Sequence, residues 1–145
     1  MKTRLVRAAS FSAAHRYFNP RLSDEENKQL YGSFYREAGF GHNFQYEAHF
    51  EGSIDPLTGM IVNLKDVDRW LRTVTESLDH KRLNDHPAFA SDAPTPERIA
   101  EFILRELEKL IGQASKAQRA SDFRIVKVRL YEGDALWVDA IANEI

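Results

Sequence analysis

The chain has 145 residues, no cysteine and a formal charge of -2, so it is long enough for one sizeable core but has no disulfides or thiolate ligands. With 43% hydrophobic and 29% charged residues, it has the make-up of a globular protein without the broad positive field that nucleic acid or anionic membrane would attract. No apolar run approaches the roughly 18 residues of a membrane span, and the basic start MKTRLVRAASF lacks the apolar centre of a signal peptide. A cytoplasmic protein is the expectation.

Residues 3 to 14, TRLVRAASFSAA, are predicted as a strand, with Leu5, Arg7, Ala9, Phe11, Ala13 and then His15 on one face. Residues 19 to 40 begin with Asn-Pro and hold SDEENKQL, where Ser23 is placed to cap a short helix. The aromatic, glycine-rich YGSFYREAGFG reads as an ordered loop, and a second strand follows at about 42 to 54, closed by the turn signal DPLTG. MIVNLKDVDRWLRTVTESLDHKRL turns helical near Leu64, and Leu64, Val67, Trp70, Leu71, Val74 and Leu78 form its apolar stripe. Thr95 is the predicted N-cap and Pro96 the first residue of a second long helix, with Ile99, Phe102, Ile103, Leu107 and Leu110 on one side. DFRIVKVRLYE and ALWVDAIANE are two strands joined through the hairpin signal Gly133-Asp134. No repeat or linker divides the sequence, so residues 1–145 are expected to form a single α+β domain. The order β-β-α-α-β-β predicts an antiparallel four-stranded sheet with two helices packed on one face.

Three groups of residues carry possible chemistry. His15 ends the first strand and His42 opens the second; antiparallel pairing can bring the two imidazoles to one metal ion, with Zn–N bonds of about 2.0–2.1 Å, or they are two unrelated histidines. His49, seven residues after His42, falls on the opposite face of an unbulged strand. Asp79 beside His80 can fix the imidazole tautomer, as a proton relay requires, although a histidine at a helix end equally suits the macrodipole. Glu132, at a strand end beside an aromatic, can accept two parallel hydrogen bonds from the N–H and amino group of a heterocycle. Most exposed strand-end glutamates have no such task.

Six segments occur in one order: FSAAHR (11 to 16), GHNF (41 to 44), DPLTGMIVNLKDV (55 to 67), LDHKRLND (78 to 85), PTPE (94 to 97) and YEG (131 to 133). Together they resemble the 6-pyruvoyltetrahydropterin synthase family, including its 6-carboxytetrahydropterin synthase branch in queuosine biosynthesis. The resemblance implies a T-fold whose barrel is formed by oligomerisation, as a trimer or a hexamer, with pterin sites between subunits. It implies a small-molecule pterin as partner, zinc on three histidines, a glutamate holding the pterin ring, a cysteine base and an Asp-His proton pair. Carried over residue by residue, His15 and His42 match the first and last zinc histidines. Asp79 and His80 match the proton pair, Glu132 the ring anchor, and Thr95 a neighbour of the ring.

Two positions depart from that pattern. The middle histidine of the His-Gly-His motif is replaced by Phe40, which has no lone pair to offer; this degrades the zinc site, puts zinc itself in doubt and turns Phe40 into apolar lining for a bound ligand. The cysteine position holds Phe34 or Arg36, depending on the spacing used. One subgroup of the family uses glutamate in a Glu-x-x-His-Gly-His motif, and EAGFGH places Glu37 at that spacing as the candidate base. The resemblance thus implies a modified pterin lyase acting on a dihydroneopterin-type substrate through Glu37, Asp79 and His80. The alternative is a non-catalytic T-fold protein that binds a pterin or purine-like ring.

Overall fold

The computed structural model describes residues 1–114 and 122–144. Its elements run β1 (Thr3–His15), α1 (Asp24–Tyr31), β2 (Phe40–Gly52), α2 (Leu64–Leu78), β3 (Lys81–Arg82), α3 (Pro96–Gln113), β4 (Arg124–Gly133) and β5 (Leu136–Ile141), with short 3-10 turns at Gly32–Tyr35, Leu83–Asp85 and Pro87–Phe89. The strands make one sheet in the order β3-β1-β2-β4-β5. All neighbours are antiparallel except β1 and β3.

The core follows from the two periodicities. Alternate residues of β1, β2 and β4, among them Phe11, Phe44, Tyr46, Phe50, Val128 and Leu130, are buried on one sheet face. In the same core lie Val67, Leu71, Val74 and Leu78 of α2, and Ile99, Ile103 and Leu107 of α3. Full burial of one such residue stabilises the fold by about 1.5–3 kcal/mol. Asn63 caps α2 by accepting from Lys65 N–H, and Thr95 Oγ1 caps α3 by accepting from Arg98 N–H.

The expected four strands and two helices are corrected to five strands and three helices. The third helix, α1, is the short helix expected after Ser23; it runs eight residues and starts with a reciprocal capping box between Ser23 and Glu26. The extra strand, β3, is two residues long and pairs in parallel with β1 through Ala13↔Lys81 and Ala14↔Arg82. It is too short to carry any periodicity. The expected start of the second strand also moves, from about residue 42 back to Phe40, directly after Gly39 with φ of 72°. The β4–β5 turn occupies Asp134 and Ala135, with Gly133 paired to Leu136. Among the described residues no helix is long and apolar enough to cross a membrane.

Candidate functional site

The register of β1 on β2 sets Phe11 opposite Phe44, Ala13 opposite His42 and His15 opposite Phe40. All six therefore face the helices, at the end of the sheet where β1 finishes and β2 begins. Tyr131 of β4 pairs with Gln45, so Glu132, the next residue, arrives at the same end of β2. Long-range pairing thus assembles His15, His42 and Glu132 from three strands. Their candidate donor atoms all lie within 4.8 Å of one another.

His15 is 2% exposed, and its Nδ1 lies 2.7 Å from the carbonyl oxygen of Pro94. A carbonyl only accepts, so Nδ1 carries the proton and Nε2 keeps its lone pair. Burial pushes the His15 pKa below its ordinary value, partly opposed by the Pro94 bond and the Glu132 charge. The rings of His15 and His42 are 5.3 Å apart, centroid to centroid. His42 Nε2 is 3.0 Å from Glu132 Oε1, while Glu132 Oε2 is buried with no hydrogen-bond partner among the described residues.

An aromatic ladder continues outward from His42. Phe40 stacks on His42 with centroids 6.5 Å apart, Phe34 lies 6.1 Å from Phe40, and Tyr17 stacks on Phe34 at 5.0 Å. Arg36 places its guanidinium 4.7 Å over the Phe40 ring, a cation–π contact. Phe34 is 50% exposed, so the outer rung presents a free aromatic surface. Tyr17 N–H donates to Phe34 O at 2.9 Å and ties this loop to the end of β1. Burial, reinforced by the charges of Glu132 and Glu97, pushes the Tyr17 hydroxyl up to about 12. The positions where resemblance called for a histidine and a cysteine are therefore rungs of a hydrocarbon wall.

Asp79 and His80 lie at the end of α2, outside the three-residue cluster. Asp79 Oδ1 accepts from Ser12 N–H at 2.8 Å, and His80 N–H donates to Ser12 O at 2.6 Å. His80 adopts φ of 58°, the left-handed region, held there by that double attachment to β1. Its Nε2 is 3.4 Å from Asp79 Oδ2 and its side chain is 81% exposed. His80 and His42 share the lining of one shallow depression of about 440 Å³, with Ser12, Gly41 and Asn43. Glu37 is exposed on the turn before β2 and does not join the cluster. Thr95 is half-buried beside Pro94, its hydroxyl oxygen already engaged by Arg98 N–H at 3.3 Å. His49 pairs with Glu47 at 2.9 Å, away from His42, as strand alternation requires.

The sequence model of the 6-pyruvoyl tetrahydropterin synthase family matches residues 4–142. The chain belongs to this family. Among curated relatives, it is similar to the 6-pyruvoyl tetrahydrobiopterin synthase of Pongo abelii, with 37% identity over 135 residues covering 92% of this chain and 87% of that one. It is also similar to the dihydroneopterin monophosphate aldolase of Pyrococcus furiosus, at 28% identity with 96% and 97% covered. The solved 6-pyruvoyl tetrahydropterin synthase of Caenorhabditis elegans superposes with a TM-score of 0.87 at 26% identity, covering 99% of this chain and 97% of that one. The mixed fold of a five-stranded sheet with three helices is therefore the T-fold of this family.

The three-histidine zinc set that family resemblance implies does not fit this pocket, because Phe40 fills the middle position with a ring. What the pocket does offer is two imidazoles and a carboxylate with one oxygen unmatched. Two histidines and a glutamate are a donor set that holds catalytic zinc in other proteins.

Proposed function

We propose that this protein is a modified pterin lyase that works on the side chain of a dihydroneopterin-type substrate. The observation that carries this reading is the convergence of His15, His42 and Glu132 at one end of the sheet, in a member of the 6-pyruvoyl tetrahydropterin synthase family. The polar side chain of the substrate meets this cluster, and the exposed face of the Phe34–Phe40 ladder offers apolar contact to the rest. A metal ion, when bound, would polarise a hydroxyl or carbonyl of that substituent. His80, oriented by Asp79, accepts and returns the proton. Because Ser12 N–H holds Asp79, the pair stays at a fixed height beside β1. The 81% exposure of the His80 side chain in the isolated subunit supports a site completed by a second subunit, since proton transfer benefits from exclusion of water.

The test is product analysis after incubation with dihydroneopterin triphosphate and, separately, dihydroneopterin monophosphate. Loss of phosphate or carbon–carbon cleavage within the substituent on the pterin ring is expected, and His80→Ala should slow it at least about 100-fold. Binding without turnover would replace this reading by the non-catalytic pterin-binding one, which the apolar filling at Phe34 and Phe40 favours. Neither binding nor turnover would end both.

A further inference from the structure

The pocket departs from the one its family resemblance implies at Phe40, and that departure leaves Glu132, the residue resemblance gives to a ring anchor, grouped with two imidazoles. We propose that Glu132 is a metal ligand in this protein, closing a two-histidine, one-carboxylate site with His15 and His42 for a divalent transition cation. The proposal deepens the reading of the same pocket but does not depend on which heterocycle it binds.

Four observations lead there. Phe40 offers no third nitrogen, so a cation held by His15 and His42 needs another donor, and Glu132 has a carboxylate oxygen within 4.8 Å of both. His42 Nε2 and Glu132 Oε1 are 3.0 Å apart; ligands at bond lengths of about 2.0–2.1 Å around a tetrahedral ion are separated by roughly 3.4 Å, so a small adjustment places both on one ion. His15 commits its Nδ1–H to Pro94 O and keeps Nε2 as a donor, the arrangement by which a backbone carbonyl orients a ligating imidazole. Finally, Glu132 Oε2 is buried without a hydrogen-bond partner among the described residues. A buried, half-matched carboxylate costs stability, and a cation in the gap supplies what it lacks.

The chemistry also indicates which cation. Two nitrogens and one oxygen, with no thiolate available from a cysteine-free sequence, suit zinc or another borderline divalent ion better than a soft one. Two neutral imidazoles and one carboxylate leave a bound dication with a net charge of about +1 and an open coordination position. The Phe40 ring stacks on His42, and His42 also lines the depression it shares with His80. A direct consequence is that Glu132, with one oxygen on the ion, has fewer lone pairs left for a ring's N–H and amino group.

The test uses the chelator-stripped full-length protein and zinc or cobalt(II) alone, read by calorimetry, by metal content after desalting and by the cobalt absorption spectrum. The wild type should bind about one ion per subunit. Glu132→Gln, which keeps shape but removes the anionic donor, should weaken zinc more than about 100-fold, beyond the 10–100-fold typical of losing a group that only orients a ligand. Adding Phe40→His to Glu132→Gln should recover most of that loss, with a cobalt spectrum of three nitrogen ligands. Glu132→Gln binding zinc within about threefold of wild type would overturn the proposal. So would a wild type that binds no ion where Phe40→His binds one. Should Glu132→Gln fail to fold by circular dichroism, X-ray absorption on the zinc-loaded wild type decides: two imidazoles with oxygen donors support the site, and any other imidazole count sinks it. Failure of the lyase reading is separable, because it would appear as no pterin turnover or binding by a protein whose metal data still obey these expectations.

Discussion

Ser12 and Asp79 are joined through a backbone amide and a carboxylate: Ser12 N–H donates to Asp79 Oδ1 at 2.8 Å, across 67 residues of sequence. The same Ser12 returns its carbonyl to His80 N–H. The proton pair is thus built into the edge of β1, and its carboxylate has a structural duty as well as a chemical one. The two duties can be pulled apart. Asp79→Asn keeps an acceptor for Ser12 N–H, so its stability should stay within about 0.5 kcal/mol of wild type, while turnover falls and its pH profile shifts. Asp79→Ala leaves the amide unmatched and should cost about 1–3 kcal/mol as well. Denaturant titration beside kcat against pH checks both; an Asn variant with the wild-type profile would remove Asp79 from the relay.

Gly39 is the hinge by which the loop enters β2. Its φ is 72°, and an added Cβ would lie 2.9 Å from His15 O. Gly39→Ala should therefore destabilise by at least about 2 kcal/mol, combining left-handed strain with a backbone clash, and lower Tm by roughly 5–10 °C. Because the clash is with His15 itself, zinc affinity should fall too. A melt unchanged from wild type would show that the end of β1 yields to the added methyl without cost.

Alkaline pH should unfold the protein through Tyr46. The side chain is fully buried, with its hydroxyl donating to Leu71 O at 3.1 Å and lying 2.9 Å from Thr75 Oγ1. Burial pushes its pKa up to about 12, against about 10 in the unfolded state. Below pH 10 both states keep the proton and nothing is lost. Between 10 and 12 the unfolded state releases a proton that the folded state retains, so stability falls. Tyr46→Phe should be about 0.5–1.5 kcal/mol less stable at neutral pH but show a shallower alkaline decline. Identical slopes would assign that decline to other groups.

Strand β5 is an edge of the sheet and exposes Leu136, Trp137 and, at 74%, Ile141. Unpaired edges with apolar side chains favour association. Light scattering should give a wild-type mass that is a multiple of the subunit's, and Ile141→Lys should shift it toward the monomer. A wild type at monomer mass would leave the assembly reading without support.

The long elements were legible because their burial is periodic: the alternation through Phe11 and Ala13 and the stripe from Val67 to Leu78 reappear as buried faces, while Leu64, expected to start that stripe, is 38% exposed at the first turn of α2. Strand β3 was not, since two residues have no period and their pairing depends on the Ser12 contacts with Asp79 and His80. The site divides in the same way. That His15 and His42 share a face follows from counting along two strands. That Pro94 O holds His15 depends on a loop 79 residues away, and that Glu132 comes to His42 depends on β4 choosing β2 as its neighbour. Spacing made Glu37 the candidate base. The turn closed by Gly39 N–H to Arg36 O at 2.9 Å instead leaves it at the surface, because local spacing carries no information on how a turn folds.

The β1–β2 register is fixed by hydrocarbon, through pairs such as Leu5↔Phe50 and Phe11↔Phe44, and not by anything the pocket binds. Positions 15, 40 and 42 therefore share one face of the sheet whatever side chains they carry, and the separate pairing of β4 with β2 brings position 132 to them. An imidazole can give way to a benzene ring at position 40 without the sheet losing its alignment, and a neighbouring strand can supply the missing lone pair. Such a scaffold lets ligand chemistry drift one residue at a time while the protein remains folded at every step.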